Sequence, residues 1–178
     1  AVIIVVIATT TAWVMSMILN LQPGEFAELS LHPAVLLILR LIMSFIGVFG
    51  FSIMFNSPVT IAASAAGIGA IANTLRLELV SLISLNAAVA AFLGALTAGL
   101  LASLLMKRLG YPRISVTVPS IVIMVPGLYL YRAVYSMGEM SLTQSAPWLV
   151  SALLFIMALP LGLIFARIIS DRSFRHCT

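Results

Sequence analysis

Residues 82–106 read LISLNAAVAAFLGALTAGLLASLLM, a stretch without a single charged side chain. As a helix it would reach about 37 Å at 1.5 Å per residue, enough to cross a hydrocarbon layer about 30 Å thick. Similar apolar runs lie on both sides of it: Val2–Leu21, Pro33–Phe55, Val59–Leu75, Val116–Met137 and Pro147–Ile169. Together with Leu82–Met106 they make six predicted transmembrane helices, the third of them short. The runs are continuous rather than ten-residue alternations, so strands of a membrane barrel are not expected. The expected fold class is all-α: a polytopic membrane protein, a bundle of about six transmembrane helices, one of them broken by proline and glycine.

Composition agrees. Of the 178 residues, 62% are hydrophobic and 8% charged, and the mean hydropathy is +1.21. A soluble domain carries roughly a quarter of its residues as charges; this chain lacks that polar surface, so its solvent is largely the lipid bilayer. The net charge of +4 is not a nucleic-acid footprint. The basic residues are scattered or end apolar runs, where orientation signals belong, and no nucleic-acid partner is expected. The one cysteine, Cys177, excludes an internal disulfide and a thiolate metal cluster. The chain opens at Ala1 directly in an apolar run without a basic n-region, so its first segment reads as a helix of a longer parent and not as a signal peptide.

Charge placement gives an orientation. Lys107, Arg108 and Arg113 follow the fourth predicted helix, and Arg167, Arg172 and Arg175 end the sixth. Six crossings put both clusters on one side, which the positive-inside rule makes cytoplasmic. Glu25, Glu28, Glu78 and Glu139 then fall on the other side with Arg76, and Tyr131, Tyr135 and Trp148 near the outer interface. Small residues recur every fourth position at Ala87, Ala91, Ala95 and Gly99, at Ala90, Gly94, Ala98 and Ala102, and at Ala62, Ala66 and Ala70, with Ala65 and Gly69 beside the last. Such stripes let helix backbones approach closely where hydrophobicity cannot drive association.

Enzyme signatures are sparse. His32 and His176 lie at opposite ends, no predicted helix carries two carboxylates, and there is no phosphate-binding Gly-Lys loop. No catalytic residue, metal site or cofactor is expected.

The fifth helix is the informative one. It contains Pro119-Ser120-Ile121-Val122-Ile123-Met124-Val125-Pro126-Gly127. Each proline lacks an N–H and clashes with the carbonyl four residues back, which frees the carbonyls of Ser115 and Val122. Within hydrocarbon, freed groups are tolerated only where protein or a watery cavity receives them. Broken helices of this kind line substrate sites in transporters; a structural kink is the alternative. A second polar interruption, Asn56-Ser57-Pro58, either simply reverses the chain or dips inward to present Asn56 to a cavity. Arg40 and Arg132 lie within predicted helices, where charge is costly. Each either snorkels to the headgroups or forks two bonds to a cargo carboxylate. Asn73 and Thr74, before Arg76, give the third helix a polar end. The candidate cargo or gating residues are thus Arg40, Asn56, Pro58, Asn73, Pro119, Ser120, Val122, Pro126, Gly127, Tyr131 and Arg132.

At these residues the sequence resembles the threonine/serine exporter (ThrE-type) family, most closely its C-terminal membrane half, which also occurs as the small subunit of two-component succinate exporters. The family pattern reads roughly Pro-Gly-Ile-x-Pro-Leu-x-Pro-Gly, then an aliphatic pair and Tyr-Arg-Gly. Pro119, Ile121, Pro126, Gly127, Tyr131 and Arg132 match it, Phe55-Asn56-Ser57-Pro58 resembles the small-subunit turn, and Gly69, Ile71 and Arg76 fit the following helix. Ser120, Ile123 and Ala133 depart from it, leaving the outer break intact and the inner part of the helix less broken than in relatives. The resemblance spans about Pro33 to Arg167. It implies secondary export of amino acids such as threonine and serine, or of small dicarboxylates, across a bacterial cytoplasmic (inner) membrane, coupled to the proton gradient. It also implies half a machine: a single transmembrane domain in which residues 1–21 are the last helix of a preceding half or an addition, 33–169 an exporter-like bundle and 170–178 a cytoplasmic tail. The complementary N-terminal half would be fused upstream or separate, with a homo-oligomer as a further possible partner. A subunit that only scaffolds a partner is the alternative function.

Overall fold

The computed structural model describes residues 2–20, 31–109 and 112–171, and among these every regular element is helical. In chain order they are α1 (Val2–Ile18), α2 (Pro33–Met54), α3 (Val59–Ile83), α4 (Ala87–Leu109), α5 (Ile114–Val122), α6 (Gly127–Gly138) and α7 (Leu142–Ser170). The described residues fall into two compact units, one drawn from Ala1–Ser30 and Pro126–Leu154, the other from Leu31–Val125 and Phe155–Thr178.

Among the described residues four helices are long and apolar enough to cross a membrane, namely α2, α3, α4 (over Ala87–Leu105) and α7, and α5 with α6 makes a fifth if the broken pair is one span. The sixth expected crossing, α1, has 17 residues, about 26 Å at 1.5 Å per residue and short of a hydrocarbon core of about 30 Å. Glu25, Glu28, Arg172, Arg175, His176, Cys177 and the side chains of Lys107 and Arg108 lie outside what is described.

The helix ends follow from local chemistry. At the end of α2, Asn56 takes a left-handed conformation (φ 57°), which asparagine tolerates better than most residues. That lets the Asn56 and Ser57 N–H groups donate back to the Ile53 and Ser52 carbonyls at 2.9 and 3.1 Å, closing the helix as a left-handed cap does. Pro58 then caps α3. Asn56 and Pro58 are exposed, at the point where the chain reverses. The third helix is not short: α3 continues through Arg76 and Glu78 to Ile83 before Ser84 turns left-handed (φ 52°). The fourth helix begins later than expected, at Ala87, because the Asn86 Oδ1 accepts the Ala88 N–H at 2.9 Å and sets its start.

The larger unit is built inside out. Its buried residues are mostly small: Ala62, Ala65, Ala66 and Ala70 on α3, and Ala90, Ala91, Ala95, Ala98 and Ala102 on α4, are at most 1% exposed, with Val48, Ile61, Val116 and Met124 as the large side chains buried among them. Many other large side chains face outward, as Ile38, Ile42 and Ile46 do along one edge of α2. In water, each exposed side chain of that size would forgo roughly 1.5–3 kcal/mol of burial energy; in hydrocarbon it forgoes nothing. The α4 stripes serve different neighbours. A Cβ on Gly94 would lie 3.2 Å from the Ala72 carbonyl of α3, whereas Gly99 meets Ala166 and Ala95 meets Gly162 on α7. Gly69 of α3 approaches α5 so closely that a Cβ there would lie 2.8 Å from the Ser120 carbonyl oxygen.

The α2–α3 hairpin has a regular register. Each turn back along α2 is matched by about one turn forward along α3: Val48 touches Gly69, Ser44 meets Asn73, and Arg40 meets Glu78. At the far end of the unit, Arg113 before α5 donates to the Gly99 carbonyl at 2.9 Å and to the Ser170 Oγ at 3.2 Å. The end of α7 and the start of α5 therefore share one end of the bundle.

In the smaller unit, α1 packs on α6, and the Trp13 indole lies against Gly138. The Tyr129 ring meets Trp148 at 5.6 Å between centroids, and Tyr131 meets Tyr135 at 6.2 Å, an aromatic group suited to a headgroup interface.

Candidate functional site

The break falls where the prolines foreshadow it, with a division of labour between them. Pro119 sits inside α5, which continues to Val122; Pro126 is where helical geometry stops, and α6 restarts at Gly127. Ser120 is fully buried and its hydroxyl donates to the Thr117 carbonyl at 2.9 Å; it belongs to the α3–α5 contact. The chain tightens through Ile123–Val125, with the Met124 N–H on the Ile121 carbonyl (2.9 Å) and the Val125 N–H on the Val122 carbonyl (3.1 Å). The Val122 carbonyl freed by Pro126 is thus taken by its own chain rather than held open for cargo. It is the Met124 carbonyl that reaches outside the segment, accepting from the Arg76 Nη1 of α3 at 3.3 Å. Arg76 also lies 5.7 Å from the Phe155 ring centroid, so its guanidinium joins α3, the break and α7.

Against this break lies a cleft of about 310 Å³, lined by Arg40 and Ser44 from α2, Asn73 and Leu77 from α3, and Ile123 from the break itself. Its polar groups are set by the hairpin register. Asn73 is 6% exposed and its Nδ2 donates to the Ser44 Oγ at 2.8 Å; its Oδ1 is buried with no protein hydrogen-bond partner. The hydroxyl of neighbouring Thr74 is likewise buried and unpartnered. Buried polar groups left so are costly, about 1–3 kcal/mol each, and each calls for a partner. Arg40 does not snorkel alone: its Nη1 is 2.7 Å from the Glu78 Oε1 and 3.0 Å from the Ser81 Oγ. Among the described residues Glu78 is the one acidic side chain within a helix, so this pair brings two costly intramembrane charges together as neutral company.

The remaining candidates lie in the smaller unit. The Arg132 guanidinium sits over the Trp148 ring, 4.8 Å from its centroid, in the geometry of a cation–π contact. Tyr131 is half-buried beside Tyr135. Gly127 has open space where a Cβ would stand, and its neighbour Pro126 is buried.

A family comparison matches the stretch that holds these elements: the hairpin turning at Asn-Ser-Pro, the alanine-lined α3 and α4, and the Pro-Gly-broken span. The model of the threonine/serine exporter family, ThrE, matches residues 40–169. The chain belongs to that family. The ThrE match begins at Arg40 and extends to Ile169, so it takes in the cleft, its ion pair, the break and the aromatic group. Neither the curated proteins nor the solved structures searched contain a match. Members of the ThrE family are exporters and not enzymes, which makes this chain a multi-pass membrane transport protein with a small polar cargo.

Sequence reasoning missed two parts of this site. Arg76 reads as an outer-side charge only if α3 ends at Leu75; within the longer α3 it is the residue that holds the break. Ser44 carries no signal alone, but folding the chain about Asn56–Pro58 sets it opposite Asn73.

Proposed function

We propose that this chain is the membrane half of an exporter for threonine, serine and similarly small zwitterionic amino acids, and that the cleft between α2, α3 and the α5–α6 break receives the cargo. The observation that carries the reading is the buried, unpartnered Asn73 Oδ1. It is an acceptor that an ammonium or hydroxyl donor can satisfy, beside a guanidinium able to receive a carboxylate. Charge favours a zwitterion over a dicarboxylate. Arg40 is already neutralised by Glu78, so a dianion would bring two uncompensated charges into a low-dielectric cleft, whereas a zwitterion brings none. The carboxylate can draw on Arg40 while the ammonium draws on Glu78.

The complementary N-terminal half, fused or separate, completes the path. The membrane is a bacterial cytoplasmic membrane, with the Arg113–Ser170 end inward by the positive-inside rule. A scaffold-only subunit would have no use for an unpartnered amide beside a broken helix.

The test is efflux of radiolabelled threonine and succinate from cells carrying the chain with its complementary half. Replacing Asn73→Leu keeps the branched shape and removes the acceptor, together with the donor to Ser44. A hydrogen bond to a charged group contributes about 1.5–3 kcal/mol, so threonine efflux should fall at least about ten-fold at unchanged membrane insertion. Undiminished threonine efflux, or a preference for succinate, would sink the proposal.

A further inference from the structure

At the end of the bundle where α5 begins and α7 finishes there is a second hollow, of about 520 Å³. One side of its lining is apolar: Ile114, Val118 and Ile164 are 67, 39 and 46% exposed. In a bundle solvated by hydrocarbon, side chains so exposed stand against acyl chains. The charged lining is Arg113, Arg167 and Asp171, leaving one net positive charge among the described residues. Arg113 is fixed in place by its bonds to the Gly99 carbonyl and Ser170 Oγ, which use two of the five N–H donors of a guanidinium. It also stands at the N-terminus of α5, the positive end of the helix dipole.

Its charge is held uncomfortably. Burial pushes the Arg113 guanidinium below the usual arginine range, the neighbouring Arg167 lowers it further, and Asp171 only partly offsets them. An oxyanion shared by the two guanidiniums would relieve both the desolvation and the repulsion.

We propose that this hollow is a binding site for an anionic phospholipid of the cytoplasmic leaflet, with Arg113 and Arg167 on the phosphate oxygens and the acyl chains along Ile114, Val118 and Ile164. Basic pockets between membrane helices on the cytoplasmic side suit such head groups. Free phosphate offers the same oxyanion, but it has no hydrocarbon to lay against the apolar wall. The net charge of the lining matches a phosphodiester of one negative charge better than a zwitterionic head group. The site is independent of the cargo cleft, which shares none of these residues.

The experiment measures lipid retained by the purified full chain in native mass spectrometry, after titration with phosphatidylglycerol or phosphatidylcholine. Phosphatidylglycerol should be retained about ten-fold more strongly. Arg167→Gln leaves the Arg113 bonds to Gly99 and Ser170 in place and should bring retention down to the phosphatidylcholine level. Val118→Asn should weaken retention of both lipids while the charges stay. Three results would overturn the proposal: equal retention of the two lipids, an Arg167→Gln variant that binds as wild type, or inorganic phosphate displacing phosphatidylglycerol at equal concentration. The last would mark the hollow as a site for small free oxyanions.

Discussion

The closest approach of backbones in the larger unit can be tested with one methyl group. At Gly69 an added Cβ would lie 2.7 Å from the Val48 Cγ2 and 2.8 Å from the Ser120 carbonyl oxygen. Val48 is fully buried and the carbonyl is main chain, so neither can swing aside and α3 must part from α5. Overpacking of this kind costs about 1–3 kcal/mol. An alanine in place of a helical glycine also contributes about 0.5–1 kcal/mol of helix propensity, which blurs a single comparison. Gly67, on the same helix, has no atom within 4 Å of the corresponding Cβ and supplies the control. Between Gly69→Ala and Gly67→Ala the propensity term cancels and the overpacking remains. For a chain of this size 1 kcal/mol moves the melting point by about 2–4 °C, so Gly69→Ala should unfold some 2–12 °C below Gly67→Ala in the same detergent. The transition can be followed by the far-ultraviolet circular dichroism of the helices. Because Gly69 is one turn from Asn73, threonine efflux should decline with it. If Gly69→Ala melts at or above its partner variant, the α3–α5 contact is not as described.

Two further predictions concern the site. Truncating one member of the Arg40–Glu78 pair, as Arg40→Met or Glu78→Gln, should destabilise by up to about 3–5 kcal/mol, since it strands a mostly buried charge or its partner's polar contacts. The double variant should recover much of that stability while remaining export-deficient; singles that unfold with the double's midpoint in a thermal cycle would contradict it. At the break, Gly127→Ala should export normally because its new Cβ meets nothing, whereas Pro126→Ala should lose most threonine efflux by letting α5 continue. Wild-type export by Pro126→Ala would reduce the break to a packing kink.

Much of this architecture is written plainly in the chain. Apolar runs and small-residue stripes specify a bundle that faces lipid, and the stripes of α4 lie against α3 and α7 as their close-packing role demands. Pro126-Gly127 marks the break, and the departures at Ser120 and Ile123 match a helix that runs intact through Pro119. The helix ends were harder to read. Arg76 and Glu78 look like the close of a transmembrane segment, yet α3 carries them onward because Arg40 and the Met124 carbonyl receive them. Such partners are 38 and 48 residues away in sequence, beyond any local pattern. The freed-carbonyl argument pointed to Val122, but the chain tightens onto that carbonyl itself, a rearrangement that proline chemistry permits but does not dictate.

The matched register of α2 and α3 also limits how this protein can move. Sliding one helix past the other by a turn, about 5.4 Å, would unseat Val48 from Gly69, strip Ser44 from Asn73 and part Arg40 from Glu78 in a single stroke. Three rungs broken together make such a ratchet prohibitively uphill, so the hairpin behaves as a stator. Compliance is left to the few residues from Ile123 to Pro126, where two tight turn bonds stand in for the α-helical ladder.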